Sequence, residues 1–342
     1  MTLSSESLLQ KLATLAAEAG LPRRYIVAFS GGLDSTVLLH VLATSAARHE
    51  VALLAVHVNH GLQSAADEWV EHCRATAEAL GVEYVVEHVT VDLAGGQGLE
   101  AAAREARYRA LRPLVQVDNW LLSAHHQDDQ AETFLLNSLR GSGPAGLAGI
   151  GNNQPFGGGR LVRPLLSFSR SDLQDYAARH QLNWIDDPSN TDQSRDRNYL
   201  RHEILPRLTT RWPDAAACLQ RSARIAGDAS LLLDDLAAID ATEVGAGHDR
   251  LRIDALNRLP GVRQRNVLRY VIRELGMPTP SAAQLQQVLE TLLVAREDAE
   301  PRVCWSGVEI RRYRNQLYLL PGDLAIVPDD PGDLGDRNYL RL

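Results

Sequence analysis

Residues 25–35, YIVAFSGGLDS, constrain the fold more than any other stretch of this chain. Tyr25, Ile26, Val27, Ala28 and Phe29 form a short apolar, partly β-branched run bounded by Pro22 and by Gly31-Gly32, which reads as a fully buried parallel strand. The glycines let the backbone turn sharply and approach a bound group closely. Asp34 and Ser35 then stand where helix-capping residues belong, ahead of the helix-like run Thr36–Leu42. A strand, a small-residue loop and a helix N-terminus point several backbone N–H groups at one spot, which suits an anion such as phosphate. An ordinary capped turn is the alternative for these residues taken alone. The loop is not a Walker A motif, which ends in Gly-Lys-Ser/Thr, because Lys11 is the only lysine in the chain. It also lacks the GxGxxG spacing of a dinucleotide fold.

Downstream, strand and helix patterns alternate. Val51–Val58 reads as a second buried strand ending in Asn59-His60-Gly61, Ser64–Leu80 as a helix, and Val82–Val91 as a third strand followed by the glycine-bearing loop Ala94–Gly98. Leu99–Val115 reads as a helix, Asn119–Ala124 as a fourth strand, and Gln127–Leu139 as another helix. This order predicts a doubly wound, mainly parallel α/β sheet. Ligands in such folds sit beyond the carboxyl ends of the strands, near the switch in strand order, so segments 30–35, 57–61 and 125–132 should converge.

The densest polar cluster is His125-His126-Gln127-Asp128-Asp129-Gln130-Ala131-Glu132-Thr133. On a helix Asp129 and Glu132 are i and i+3, and Asp128 and Glu132 are i and i+4, so two carboxylates share one face. Oxygen ligands of this kind suit Mg²⁺ when phosphates complete its shell. The plainer reading is acids stabilising a helix N-terminus through its dipole; a zinc site from His57, His60, His125 and His126 is a further alternative. Leu139–Gly159 is glycine-rich and reads as a mobile loop, either a lid or a surface connector. Ser171–His180 reads as a helix with Ser171 as its cap, and 184–190 as turn-rich. Arg197 and Arg201, at i and i+4, point the same way and, with Arg207 and Arg211, make the most basic part of the chain.

The N-terminus, with Leu8, Leu12, Leu15 and Ala19 on one face, reads as a docked amphipathic helix rather than a leader. No apolar run reaches the length of a membrane helix. Cys73, Cys218 and Cys304 are far apart with no C-x-x-C pair, which argues against a disulfide framework and a thiolate metal site and fits a reducing, cytoplasmic setting. A net charge of −8 gives no support to a nucleic-acid partner by itself, although local arginines can supply one. The 342 residues suffice for two domains, or three.

Taken together the motifs resemble the tRNA(Ile)-lysidine synthetase family of ATP pyrophosphatases. The matching runs are SGGLDS at 30–35, HVNHGL at 57–62, EAAAREARY at 100–108, AHHQDDQAET at 124–133, LRGSGPAGL at 139–147, RPLL at 163–166, DDPSN at 186–190 and RNYLR at 197–201. The resemblance implies a pyrophosphatase domain over 1–214 and a mainly helical tRNA-recognition domain over 215–342. In the second of these the sequence supports helices near 215–238, 262–275 and 282–295 and strands near 303–305, 308–313 and 316–320. Longer family members carry a further C-terminal domain where this chain ends. The segment 336–341 repeats Asp196–Arg201 letter for letter, for which there is no physical account.

The activity implied is adenylation, by ATP, of the 2-carbonyl oxygen of the wobble cytidine in a CAU-anticodon isoleucine tRNA, followed by attack of the ε-amine of free lysine. Ser30, Gly31, Gly32, Leu33, Asp34 and Ser35, with His57 and Asn59, would bind ATP, and Asp34 and Asp129 would hold Mg²⁺. Asp34, Asp129, Glu132 and Arg197 are the catalytic candidates, and Arg104, Arg107, His125 and Arg201 the substrate-binding ones. How Asp34, Asp129 and Glu132 share the metal and the lysine ammonium stays open, as does a homodimer. A tRNA thiolase is disfavoured by the missing cysteine pair, an NAD- or GMP-synthetase-like ligase by segments 124–201, and a non-catalytic binder by the acidic cluster.

Overall fold

The computed structural model describes residues 2–45, 51–61, 63, 65–92, 98–247, 249–296, 299 and 301–322. Leu62, most of the 94–98 loop and the repeat at 336–341 lie outside them. The chain divides into two compact units, Met1–Gly227 and Asp228–Leu342.

The first unit is built on strands β1 (Arg24–Ala28), β2 (Ala52–Asn59), β3 (Glu83–His88), β4 (Asn119–Leu122), β5 (Asn153–Phe156) and β6 (Gly159–Val162), in the sheet order β3-β2-β1-β4-β6-β5. Every neighbouring pair is parallel except β5 with β6. β1 lies between β2 and β4, so the strand order reverses at its carboxyl end. Helices α1 (Ser5–Ala19), α2 (Leu33–Thr44), α3 (Ala66–Ala79), α4 (Leu99–Leu111) and α5 (Gln127–Leu139) connect or flank these strands. One apolar layer joins α1 and α2 to the sheet through Leu8, Leu12, Val37, Leu38 and Val27. The other joins Leu111 and Tyr108 of α4 to Ile26, Val56, Leu121 and Leu161. β1 is therefore covered on both faces, which is why its sequence is continuously apolar.

Two expectations need correction in this unit. The glycine-rich stretch 139–159 is not a structureless loop: it holds the short helix α6 (Pro144–Leu147) and the β5–β6 hairpin. Gly157 and Gly159 answer to close packing against backbone, whereas Gly141 and Gly143 have open space around them. A Cβ built on Gly159 would lie 2.1 Å from the carbonyl oxygen of Asn119. The helix read at 171–180 is α7 (Arg170–Arg179), and its cap is Ser169, whose hydroxyl accepts the Asp172 N–H while Asp172 accepts the Ser169 N–H at 2.9 Å. The reciprocal Ser-x-x-Asp pair satisfies two donors at once, which Ser171 could not do.

The chain then forms α8 (Asp196–Tyr199), a π turn over Leu200–Ile204, α9 (Leu205–Arg211) and α10 (Ala215–Val244). Helix α10 begins at Ala215, whereas the two compact units divide after Gly227. The second unit carries β7 (Gly245–Gly247), β8 (Arg250–Arg252), α11 (Ile253–Leu256), α12 (Gly261–Glu274), α13 (Ala282–Gln287), β9 (Arg302–Trp305), β10 (Val308–Tyr313) and β11 (Gln316–Pro321). Its sheet is antiparallel and five-stranded, in the order β7-β8-β11-β10-β9. The two strands not read from the sequence, β7 and β8, are three residues each, too short to show a period. Val267, Leu268, Val271 and Ile272 bury one stripe of α12. The helix expected to 295 gives way to a π turn at Val288–Leu292, and the carbonyls of Leu292 and of Leu293 just after it accept from the buried Arg312. Among the described residues, no helix is long and apolar enough to cross a membrane.

Candidate active site

The carboxyl end of β1 makes the turn that the sequence demanded. Gly31 has φ +80°, and a Cβ there would sit 2.7 Å from Ile185 Cδ1 and 2.8 Å from Cys73 Sγ. Its carbonyl accepts the Ile185 N–H at 2.9 Å and the Thr36 hydroxyl at 3.3 Å. The turn-rich 184–190 segment thus lies on the loop. Gly31→Ala combines left-handed strain with overpacking, an expected loss of about 2–4 kcal/mol, readable as a lower denaturation midpoint together with a raised KM for ATP.

The N-cap of α2 is Gly32, without a side-chain cap, and not Asp34 or Ser35 as expected. Those two belong to the first helical turn, so the leading amides of α2 have no side-chain acceptor from a cap and stay available to an anion. Ser35 instead braces the loop: its Oγ accepts the Ser30 N–H at 3.2 Å and donates to the Gly32 carbonyl at 3.1 Å. Ser30 Oγ lies 3.1 Å from Ser35 Oγ. The Leu33 side chain is buried in the core, so only its backbone faces the loop.

Across the switch point, α5 presents the acidic cluster. His126 is its N-cap, and Asp129 Oδ2 accepts the His126 N–H at 3.0 Å, so Asp129 does perform the capping task of the plainer reading. The His126 ring has no exposed surface and stands between the two segments, with Nε2 3.6 Å from Asp34 Oδ2 and 3.5 Å from Asp129 Oδ2. The loop and the acids therefore meet through one imidazole. Burial opposes its charge, but Asp129, Asp128 and Asp34 outweigh burial and raise its pKa to about 10. For Asp129 burial is likewise overcome, by His126, His125, Arg201 and Arg197, and its pKa falls to about 2.

A raised histidine pKa fixes a pH dependence. The unfolded imidazole titrates near ~6.5, so the stability His126 contributes is full below that pH and is lost as pH rises through about 10. Denaturant unfolding of wild type and His126→Gln should differ most at pH 6 and converge as the pH approaches 10; a gap that widens instead would reject the charged imidazole.

Glu132 is fully buried and saturated by two arginines. Arg201 Nε donates to Oε1 at 2.6 Å and its terminal nitrogen to Oε2 at 3.0 Å, while Arg197 Nε donates to Oε2 at 3.0 Å. Arg201 also reaches Asp129 Oδ1 at 2.8 Å, and Arg197 reaches the Thr133 hydroxyl at 3.0 Å. The expectation that Arg197 and Arg201 point the same way holds, and their common target is the acid pair.

His57 is buried, with Nδ1 3.0 Å from the Phe29 carbonyl oxygen and 3.4 Å from Cys73 Sγ, and burial lowers its pKa. Asn59 accepts the Gly61 N–H at 2.8 Å, closing a turn after β2. Arg107 lies near His57 and His60, and Arg104 stacks on Tyr108 with its guanidinium 5.1 Å from the ring centroid. His125 Nδ1 is 2.7 Å from Ser123 Oγ. Ile185 on the loop has no signal in the sequence; His126 stands there only as one ligand of the zinc alternative and not as a bridge, and Asp128, which accepts the Arg170 N–H at 2.8 Å, only as one of the paired carboxylates.

Among the described residues no group of three or more His, Cys, Asp or Glu side chains is arranged to hold a metal by itself. Mg²⁺ needs less, since one or two carboxylates and substrate phosphates suffice. Asp34 fits that role: its Oδ1 is buried without a hydrogen-bond partner. Asp129 fits less directly, because Arg201 and the His126 N–H already engage its two oxygens.

A PP-loop domain model matches residues 4–208 and a TilS substrate binding domain model residues 251–318. The tRNA(Ile)-lysidine synthase of Alkalilimnicola ehrlichii is 48% identical over 319 residues, 93% of this chain and 71% of that protein. The enzyme of the same name from Serratia proteamaculans is 46% identical over 340 residues, 95% of this chain and 78% of its own length. Among solved structures, the U34-tRNA thiolase of Methanococcus maripaludis superposes with a TM-score of 0.53 at 17% identity, covering 65% of this chain and 78% of the thiolase. That likeness speaks for the fold alone.

Proposed function

The chain belongs to the tRNA(Ile)-lysidine synthase family, and we propose that its site divides that family's ligation between the glycine loop and the α5 acids. It is an ATP-dependent ligase that forms lysidine on tRNA(Ile). The observation that carries the division is the His126 imidazole standing between Asp34 and Asp129. It supports a reading in which the loop takes the nucleotide and the acids take the amine, because one side chain separates Asp34 from Asp129.

In this reading the amides of Gly31–Asp34 and the Ser30 hydroxyl take the β and γ phosphates, and adenylation occurs at the 2-carbonyl oxygen of the wobble cytidine. Asp34 would hold Mg²⁺, which when bound offsets charge growing on the departing pyrophosphate. Asp129 and Glu132 receive the ammonium of lysine as Arg197 and Arg201 release them, and a carboxylate there takes the proton as the amine attacks C2 of the adenylated base and displaces AMP. The freed guanidiniums are then available to the reacting nucleotide or to tRNA phosphate. The second unit supplies tRNA recognition, and a reducing cytoplasm suits the unpaired cysteines.

The test is incubation with ATP, labelled lysine and a panel of tRNAs. Label in the CAU-anticodon isoleucine tRNA alone supports the reading, and label in no tRNA, or in all of them, refutes it.

A further inference from the structure

The stretch from Trp184 to Asp192 is held at both ends. Ile185 donates its N–H to the Gly31 carbonyl at 2.9 Å, and its side chain fills the space where a Cβ on Gly31 would stand. At the far end the Asn198 amide donates to the carbonyls of Ser189 and Asp192, at 3.0 and 2.9 Å. Between these anchors Asp187 caps the short turn Pro188–Thr191 by accepting the Ser189 N–H at 2.8 Å. One braced stretch therefore runs from the phosphate loop to the helix that carries Arg197.

Trp184 begins this stretch, one peptide from the bond to Gly31. Its indole N–H donates to Asp186 Oδ1 at 3.1 Å, which satisfies the one polar group of the ring and holds its orientation, yet 36% of the residue stays exposed. A tryptophan placed this way keeps a flat apolar face open to water while its polar edge is already engaged. Adenylation needs the 2-carbonyl oxygen of the wobble cytidine at the α phosphate, so that base has to leave the anticodon stack and be held beside the loop. The loop itself offers amides and hydroxyls, which suit phosphate and not the face of a base. Resting on the ligase reading above, we infer that Trp184 is a binding residue for the tRNA: its indole stacks on the unstacked wobble cytidine and keeps it next to the phosphate loop.

The experiment measures tRNA binding by filter retention, with the loop filled by α,β-methylene ATP. It compares the CAU-anticodon isoleucine tRNA with the same tRNA made abasic at the wobble position, in wild type, Trp184→Ala and Trp184→Phe. Wild type should bind the cytidine-bearing tRNA more tightly. Trp184→Ala should shrink that preference by at least ~5-fold, the lower end of what one base stacked on an aromatic ring contributes. Trp184→Phe keeps an aromatic face without the indole N–H and should retain most of the preference. A wild type that binds both tRNAs alike, or a Trp184→Ala variant weakened equally on both, leaves the ring a brace for its own segment. A loss confined to the affinity for the ATP analogue makes the stacked base adenine. Each of these results overturns the assignment. If wild type attaches lysine to no tRNA, it is the ligase reading that fails instead.

Discussion

Asp34→Ala should lower tRNA-dependent pyrophosphate release by at least ~10²–10³-fold, the range seen when a group stabilising transition-state charge is removed. The fold should survive the change. Asp34 lies in the first turn of α2 with a third of its side chain exposed, and its Oδ1 satisfies no hydrogen bond. Among the described residues, removing it leaves the His126 ring with Asp128 and Asp129 beside it, and Arg201, which also feels the Asp34 charge, with Glu132 and Asp129. Circular dichroism and the unfolding midpoint should therefore stay close to wild type while turnover collapses. Retained turnover would leave the loop a structural turn.

Glu132→Ala should do two things at once. It leaves the Arg197 and Arg201 guanidiniums without their shared acceptor, although both keep about a quarter of their surface in water. Breaking a buried pair in this way costs about 3 kcal/mol, the lower end of the usual range because of that exposure. It should also slow lysine transfer by at least ~10²-fold, since a positioned proton acceptor contributes about that much. Glu132→Gln separates the effects. An amide keeps volume and one acceptor, so stability recovers in part while transfer stays slow. Wild-type kinetics in both ATP and lysine would remove Glu132 from the chemistry.

These two residues illustrate what a sequence of this kind discloses. The β1–loop–α2 unit was legible because each level agreed: an apolar strand, glycines at the turn, a helix pattern behind. The parallel sheet followed from alternation, and the meeting of segments 30–35 and 125–132 followed from the sheet. Identity of contact was not legible. Glu132 read as a possible metal or amine ligand, yet both its oxygens are taken by arginines 65 and 69 residues away. His126 looked like one of a histidine pair, and only the packing of α5 against the loop makes it the bridge. The hairpin at 153–162 was hidden because glycines that permit close approach to Asn119 have the composition of a flexible loop. Ser169 rather than Ser171 caps α7, because a reciprocal cap depends on which acid folds back and not on which serine comes nearest the helix.

The most direct measurement separates the two half-reactions by rapid quench, with ATP labelled in the α phosphate and the isoleucine tRNA as acceptor. Wild type should build adenylated tRNA when lysine is withheld and discharge it when lysine is added. Glu132→Gln should build the same species and hold it in the presence of lysine, whereas Asp34→Ala should build none. If instead Glu132→Gln forms no adenylated tRNA, or Asp34→Ala forms it at the wild-type rate, then loop and acids do not divide the reaction as their geometry indicates.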